Sequence, residues 1–202
     1  MSFANFIKPQ LNRKTDDQEW YLKAVTNALN NYMAELETKL SVPSQNVTGT
    51  TIVPGTPPVP TPIVGPIAYF IPTIQRFTFM EVKTAMWCGV GETSFINLFN
   101  LFGTKFALNF VNLQAAPVLE VAGIVTIPTA TFAPMAIQLI ATAKGIGAAM
   151  TPETFADLES QFLAQAIATI PPIPVPLVGA GLIPPGAFTG VATVSFATAA
   201  MG

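Results

Sequence analysis

PSQNVTGTTIVPGTPPVPTPIVGPIAYFIP, residues 43–72, carries eight prolines in thirty positions, with Ser, Thr, Gly and Val filling much of the rest. Proline has no N–H to give to a ladder or a helix and fixes its own φ. Such a density predicts an extended, polyproline-like connector without a core of its own. Stretched out it would reach about 90 Å at ~3.1 Å per residue. It lacks the charge of a solvated linker. Ile52, Val53, Val59, Ile63 and Val64 would therefore prefer an apolar groove, which predicts an arm lying on a partner. Asn46-Val47-Thr48 matches a glycosylation acceptor, but with no secretory leader ahead of it the match reads as accidental. The connector divides the chain into residues 1–42, an N-terminal arm and helix; 43–72, the extended arm; and 73–202, the body.

Upstream, residues 1–14 read as a short extended arm broken near Pro9. Thr15-Asp16-Asp17-Gln18 then matches a helix capping box. Leu22, Val25, Leu29, Tyr32, Leu36 and Leu40 follow at helical spacing, with Ala28 and Met33 widening the stripe. This amphipathic helix can pack on the chain's own core or bundle with neighbouring subunits. The connector behind it favours the second, so the stripe is a candidate interface.

Downstream, the expectation is a charge-poor body of several strands with two or three helices, giving an α+β chain overall. Residues 73–83 alternate, with Phe77 and Phe79 against Thr78, Met80 and Val82, and predict a strand. Phe95, Phe99, Phe102, Phe106 and Phe110 fall on one helical face. Val118–Ile127 predicts a strand ended by Pro128, and Phe132–Ala143 a short helix. Thr151 before Pro152 is a strong helix start, with Phe155, Leu158, Phe162, Ala166 and Ile170 on one face. Phe188–Phe196 alternates small apolar residues with Thr and Ser, as a strand does. Pro60-Thr61-Pro62-Ile63-Val64-Gly65 is echoed by Pro174-Val175-Pro176-Leu177-Val178-Gly179, which shared low complexity explains, with a duplicated docking arm as the alternative.

Charge is the other signal. Ten charged side chains fall in the first forty residues and ten in the remaining 162. A soluble domain normally exposes about a quarter charged residues, so this body predicts a surface covered by lipid or by protein. Val121–Ala143 and Ser160–Gly202 are uncharged and long enough to span a bilayer, but Pro128 and Pro134 interrupt the first and Pro171, Pro172, Pro174, Pro176, Pro184 and Pro185 the second, which argues against a spanning helix. Membrane association is therefore the alternative and protein cover the main reading. A net charge of −2 offers nucleic acid no basic footprint.

Nothing in the chain asks for catalysis. It has no histidine, and Cys88 is its single cysteine, which excludes a zinc set and reads as a buried thiol beside Met86 and Trp87. Gly89-Val90-Gly91-Glu92-Thr93 lacks the third glycine of a dinucleotide fingerprint and the Gly-Lys-Ser/Thr of a P-loop, so it reads as a turn. Glu81, Lys83 and Glu92 are the best isolated polar group, and ion pairing is the expected use. No cofactor, metal or catalytic residue is expected.

The Met1–Pro9 arm, the Thr15–Leu40 helix, the Pro43–Pro72 segment and the Thr189–Ala200 tail together resemble the small virion structural proteins of tailed bacteriophages. That family commonly joins a helical or extended arm to a low-charge domain rich in Ala, Thr, Val, Gly and Pro. The resemblance is one of composition and carries no functional residue with it. It implies a non-enzymatic subunit of a tail, baseplate, neck or capsid surface, made in the host cytoplasm. Its partners would be other copies of itself and other structural proteins of the virion.

Overall fold

The computed structural model describes residues 2–11, 17, 19–55, 57–87, 91–116, 119–182 and 185–196, with the side chains of residues 64–67 excepted. The chain is α+β, as expected, and its elements recur in a fixed order. Helices α1 (Phe3–Leu11) and α2 (Trp20–Leu40) precede strands β1 (Gln45–Val53) and β2 (Val59–Ile71). Helices α3 (Phe79–Trp87) and α4 (Glu92–Asn109) precede β3 (Asn112–Ala116) and β4 (Leu119–Ile124). Helices α5 (Phe132–Ile146) and α6 (Pro152–Ala168), with a 3-10 turn at Gly147–Ala149 between them, precede β5 (Ile173–Leu182) and β6 (Pro185–Val194). Two helices and a hairpin are thus repeated three times. The first helix of every repeat opens on a phenylalanine after Ser or Thr: Ser2-Phe3, Thr78-Phe79 and Thr131-Phe132.

The six strands close an antiparallel barrel in sequence order, β6 pairing back onto β1. The helices form a matching ring, each packed on its sequence neighbours and α1 closing onto α6. This ring sits at the end of the barrel where β1, β3 and β5 begin and β2, β4 and β6 end.

The 43–72 segment is extended, but as two barrel strands and not as a connector or free arm. The 1–42, 43–72 and 73–202 division therefore does not describe separate units, since β2 pairs with β3 and β1 with β6. Neighbouring strands explain how the prolines are tolerated. β3 covers β2 only from Ile67 to Ile71, so Pro60 and Pro62 face a neighbour on one side alone, β1. Alternate residues of a strand direct their N–H groups to opposite sides. Two prolines two apart thus turn their missing donors toward the same uncovered side, where no ladder loses a bond. Pro66 falls where the β1–β2 register slips between Asn46 and Thr48, a bulge of the kind that also accommodates proline.

The barrel is filled, as a six-stranded barrel must be. Val47, Thr51, Ile63, Ala68, Phe70, Leu113, Val121, Val175, Leu177, Phe188 and Ala192 are all buried. Gly49 and Gly190 face each other across the β1–β6 seam. A Cβ on either would lie 2.5 Å from the ring of Phe188, which occupies the space both leave.

Barrel and helices share one core. Phe70 of β2 packs edge-on to Phe110 at 5.5 Å and stacks with Phe196, and Phe106 meets Phe110 at 4.8 Å. Phe102 then contacts Tyr32, Phe77 and Phe132. The α4 phenylalanine stripe is thus the junction between the two rings. Gly103 is there because a Cβ would lie 2.5 Å from the Phe132 ring.

Four local expectations change. Residues 3–11 are helical, not an extended arm: Phe3, Ala4 and Ile7 are buried, and Pro9 deprives only exposed Asn5 of a partner. Residues 79–87 are helical, not a strand, because Thr78 and Glu81 form a capping box. The Thr78 N–H and hydroxyl both donate to Glu81 Oε2 at 2.9 Å, and the Glu81 N–H returns to Thr78 Oγ1 at 3.2 Å. Among the described residues the body after residue 73 holds four α-helices where two or three were expected. The α2 stripe does not protrude: Leu22, Val25, Leu29, Tyr32, Leu36 and Leu40 are each 6% exposed or less and belong to the chain's own core. The expected capping box at Thr15–Gln18 and the Cys88 thiol lie outside the described residues.

Candidate interaction surface

Polar side chains of the helical ring are spent on holding the fold. Asn30 brackets Phe77, its amide donating to the Phe77 carbonyl at 2.9 Å and accepting from its N–H at 2.7 Å. Asn109 brackets Gln75 in the same way, at 2.9 and 2.7 Å. Ile74, immediately before the Gln75 clamp, takes φ 58°, a strained value for a β-branched residue. Arg76 forms a two-pronged ion pair with buried Glu37. The polar group singled out from sequence is dispersed: Glu81 pairs with Lys105 at 2.7 Å, Lys83 with Glu19 at 2.5 Å, and Glu92 with Lys144. Among the described residues no group of three His, Cys, Asp or Glu is placed to hold a metal ion.

The outer wall of the barrel is different in kind. Glu120 is the only charged residue in all six strands. Following the hydrogen-bonded register outward-facing residue by residue gives a belt that runs round the barrel: Tyr69, Gln114, Ala122, Val178, Thr189, Thr50, Pro62. No member is charged, and none is buried. A second row, Ile71, Asn112 and Ile124, lies beside it. Val178 is 65% exposed and Ile124 is 78% exposed, values at which a large aliphatic side chain is essentially in water.

These residues line a shallow groove with Ile71, Gly123 and Pro176. Its origin is legible in the chain. The β4–β5 ladder stops at Ala122–Val178, where the next residues of β5 would be Leu177 and Pro176. Pro176 and Pro174 have no donors to continue it, so the wall opens beside Ile124. The groove is a consequence of the second proline-rich stretch.

The sequence singled out part of this surface and missed the rest. Ile52 is exposed on the outer wall, Val59 is exposed at the hairpin end of β2 on the inward-facing row, and Val53, its register partner, is half-buried, whereas Ile63 points into the barrel at 7% exposure. The Val64 side chain lies outside the described residues. Ile71, Ile124 and Val178 went unnoticed, although strict alternation in Val118–Ile127 and in the Pro174–Gly179 echo places one set of residues outward. That echo is not the structural repeat: its copies lie on β2 and β5, the second strand of one hairpin and the first of another.

A second apolar surface lies on the helical ring. The stretch Phe132–Ala149 is long and apolar enough to cross a membrane by length and composition, and only 17% of it is buried. Ile137 and Ile146 are exposed on it, while Phe132, Ala136 and Leu139 face the core. No protein-family model, no curated protein and no solved structure matches the chain.

Proposed function

We propose that this chain is a structural, non-enzymatic subunit of a large symmetric protein assembly, and within that class a component of a tailed-phage virion. The observation that carries the reading is the barrel wall. An outer wall rich in Val, Ile, Ala, Thr and Pro, whose six strands carry one charged residue between them, is a poor surface to leave in water and a good one to bury against protein. Burial there would contribute about 25 cal/mol per Å² of apolar area. The phage assignment rests on the compositional resemblance of the arm, helix, proline-rich segments and Thr-rich tail. Partners on this reading are further copies of the chain and other structural proteins of the particle.

Mass spectrometry of gradient-purified particles from the source that encodes the chain tests this. The expected result is the chain at fixed stoichiometry with the other particle proteins, retained through successive gradients. Its absence from the particles would refute the virion assignment.

The membrane-associated alternative is favoured by one observation, the exposed apolar length of Phe132–Ala149. Liposome flotation separates the two: the assembly reading expects the protein to stay at the bottom of the gradient. Recovery with the lipid would move the assignment to the membrane surface.

A further inference from the structure

Glu159 lies in the middle of α6, 2% exposed, and no hydrogen bond or ion pair reaches it from any described residue. With Ile7 and Leu11 of α1, Tyr21 of α2, and Phe155 and Ala156 of α6, it lines a cavity of about 240 Å³. A buried carboxyl is ordinarily paired, because leaving water costs it several kcal/mol. Among the described residues the neighbouring charges are committed elsewhere. Lys8, the only charged residue of α1, pairs with Asp157 at 2.5 Å. From α2 the group facing Glu159 is the Tyr21 phenol, whose ionisation is pushed up by burial and by Glu159 itself.

We propose that this cavity binds a primary ammonium carried on a short apolar stem, with Glu159 as the counter-ion. Ile7, Leu11 and Phe155 supply the apolar lining for the stem, and the space exceeds several water volumes at ~30 Å³ each. An ammonium is compact and donates three hydrogen bonds, which suits a single carboxylate in an otherwise mostly apolar lining. The same chemistry is offered by a free alkylamine and by a lysine side chain of a docking protein. Burial pushes the Glu159 carboxyl up to about 8, so the empty site holds a proton at neutral pH. The arriving cation must displace that proton, and binding is therefore linked to proton release.

Isothermal titration calorimetry with n-butylammonium and with Nα-acetyl-lysine-N-methylamide, in two buffers of different ionisation enthalpy, reads both quantities. The expected result is saturable 1:1 binding of butylammonium with close to one proton released at pH 6–7. Affinity should rise about tenfold per pH unit until Glu159 ionises. Butanol should not bind, and Glu159→Gln, checked for native circular dichroism, should abolish binding. Binding of both amines identifies a docked lysine as an admissible ligand, and binding of butylammonium alone restricts the site to free amines. Absence of saturable binding, or binding without proton release, or binding unchanged in Glu159→Gln, would overturn the proposal. The titration is independent of whether the chain belongs to a virion.

Discussion

At the scale of single residues, burial decides the consequences. Glu159 is neutral in the folded chain at pH 7 and charged in the unfolded one, since its carboxyl rises from 4.5 to about 8 on folding. Between those values the folded state binds the extra proton, so its contribution to stability is full below about pH 4.5 and declines as pH rises toward 8. Glu159→Gln should remove that slope. Denaturant melts at pH 5 and pH 8 check it: the variant should gain on the native chain at pH 8 by a few kcal/mol and by little at pH 5. Equal gains at both values would show that Glu159 is ionised throughout. The α2 stripe makes a second case. Leu29 is 1% exposed in the shared core, so Leu29→Asp should cost roughly 4 kcal/mol or more and unfold the chain as a whole. A variant that lost only self-association, with its melting temperature intact, would restore the protruding helix that periodicity suggested. Periodicity found the buried residues of α2 correctly. It could not say which surface they bury against, because an apolar stripe looks the same in either place.

At the scale of elements, local signals located those with strong termini and misassigned those ruled by their neighbours. The Thr151 cap, whose hydroxyl accepts from the Thr154 N–H at 3.1 Å, and the α4 phenylalanine stripe were legible because helix chemistry is local. The Thr78–Glu81 capping box was equally present but was outweighed by alternation over Phe77–Val82. β1 and β2 were hidden by proline, whose meaning in a strand depends on whether a neighbour needs its N–H. That is settled by the short length of β3, remote in sequence. The seam glycines test this account of the barrel. Gly49→Ala would set a methyl 2.5 Å from the Phe188 ring and from the Thr189 carbonyl oxygen, and should destabilise by about 1–3 kcal/mol. Gly145→Ala, inside α5 with nothing within 4 Å, should instead stabilise by up to about 1 kcal/mol. Thermal melts of the two variants moving in the same direction would contradict the placement of one or other glycine. Trypsin or elastase digestion is a related check: no folded 73–202 fragment should be released, since β1 and β2 complete the barrel.

At the scale of the molecule, three repeats of two helices and a hairpin build two stacked rings with opposite surfaces. The helical ring carries nearly all the charge and spends much of it in ion pairs within the ring, such as Lys8–Asp157 and Lys144–Glu92. The barrel exposes almost none. Composition alone pointed to a surface that protein or lipid would cover, but it assigned the proline-rich segments to the covering arm, whereas they form strands of the apolar barrel wall. The distinction needed register, because only pairing shows that Ile71, Ile124 and Val178 share one face. Sedimentation velocity on the native chain and on Ile124→Asp/Val178→Asp tests the claim that this wall is buried against protein. Both side chains are exposed in the isolated chain, so the double variant should fold as before. The account predicts concentration-dependent oligomers for the native chain and a monomer for the variant, each with the same circular dichroism. A native chain that remains a single monomeric species at high concentration, indistinguishable from the variant, would contradict it.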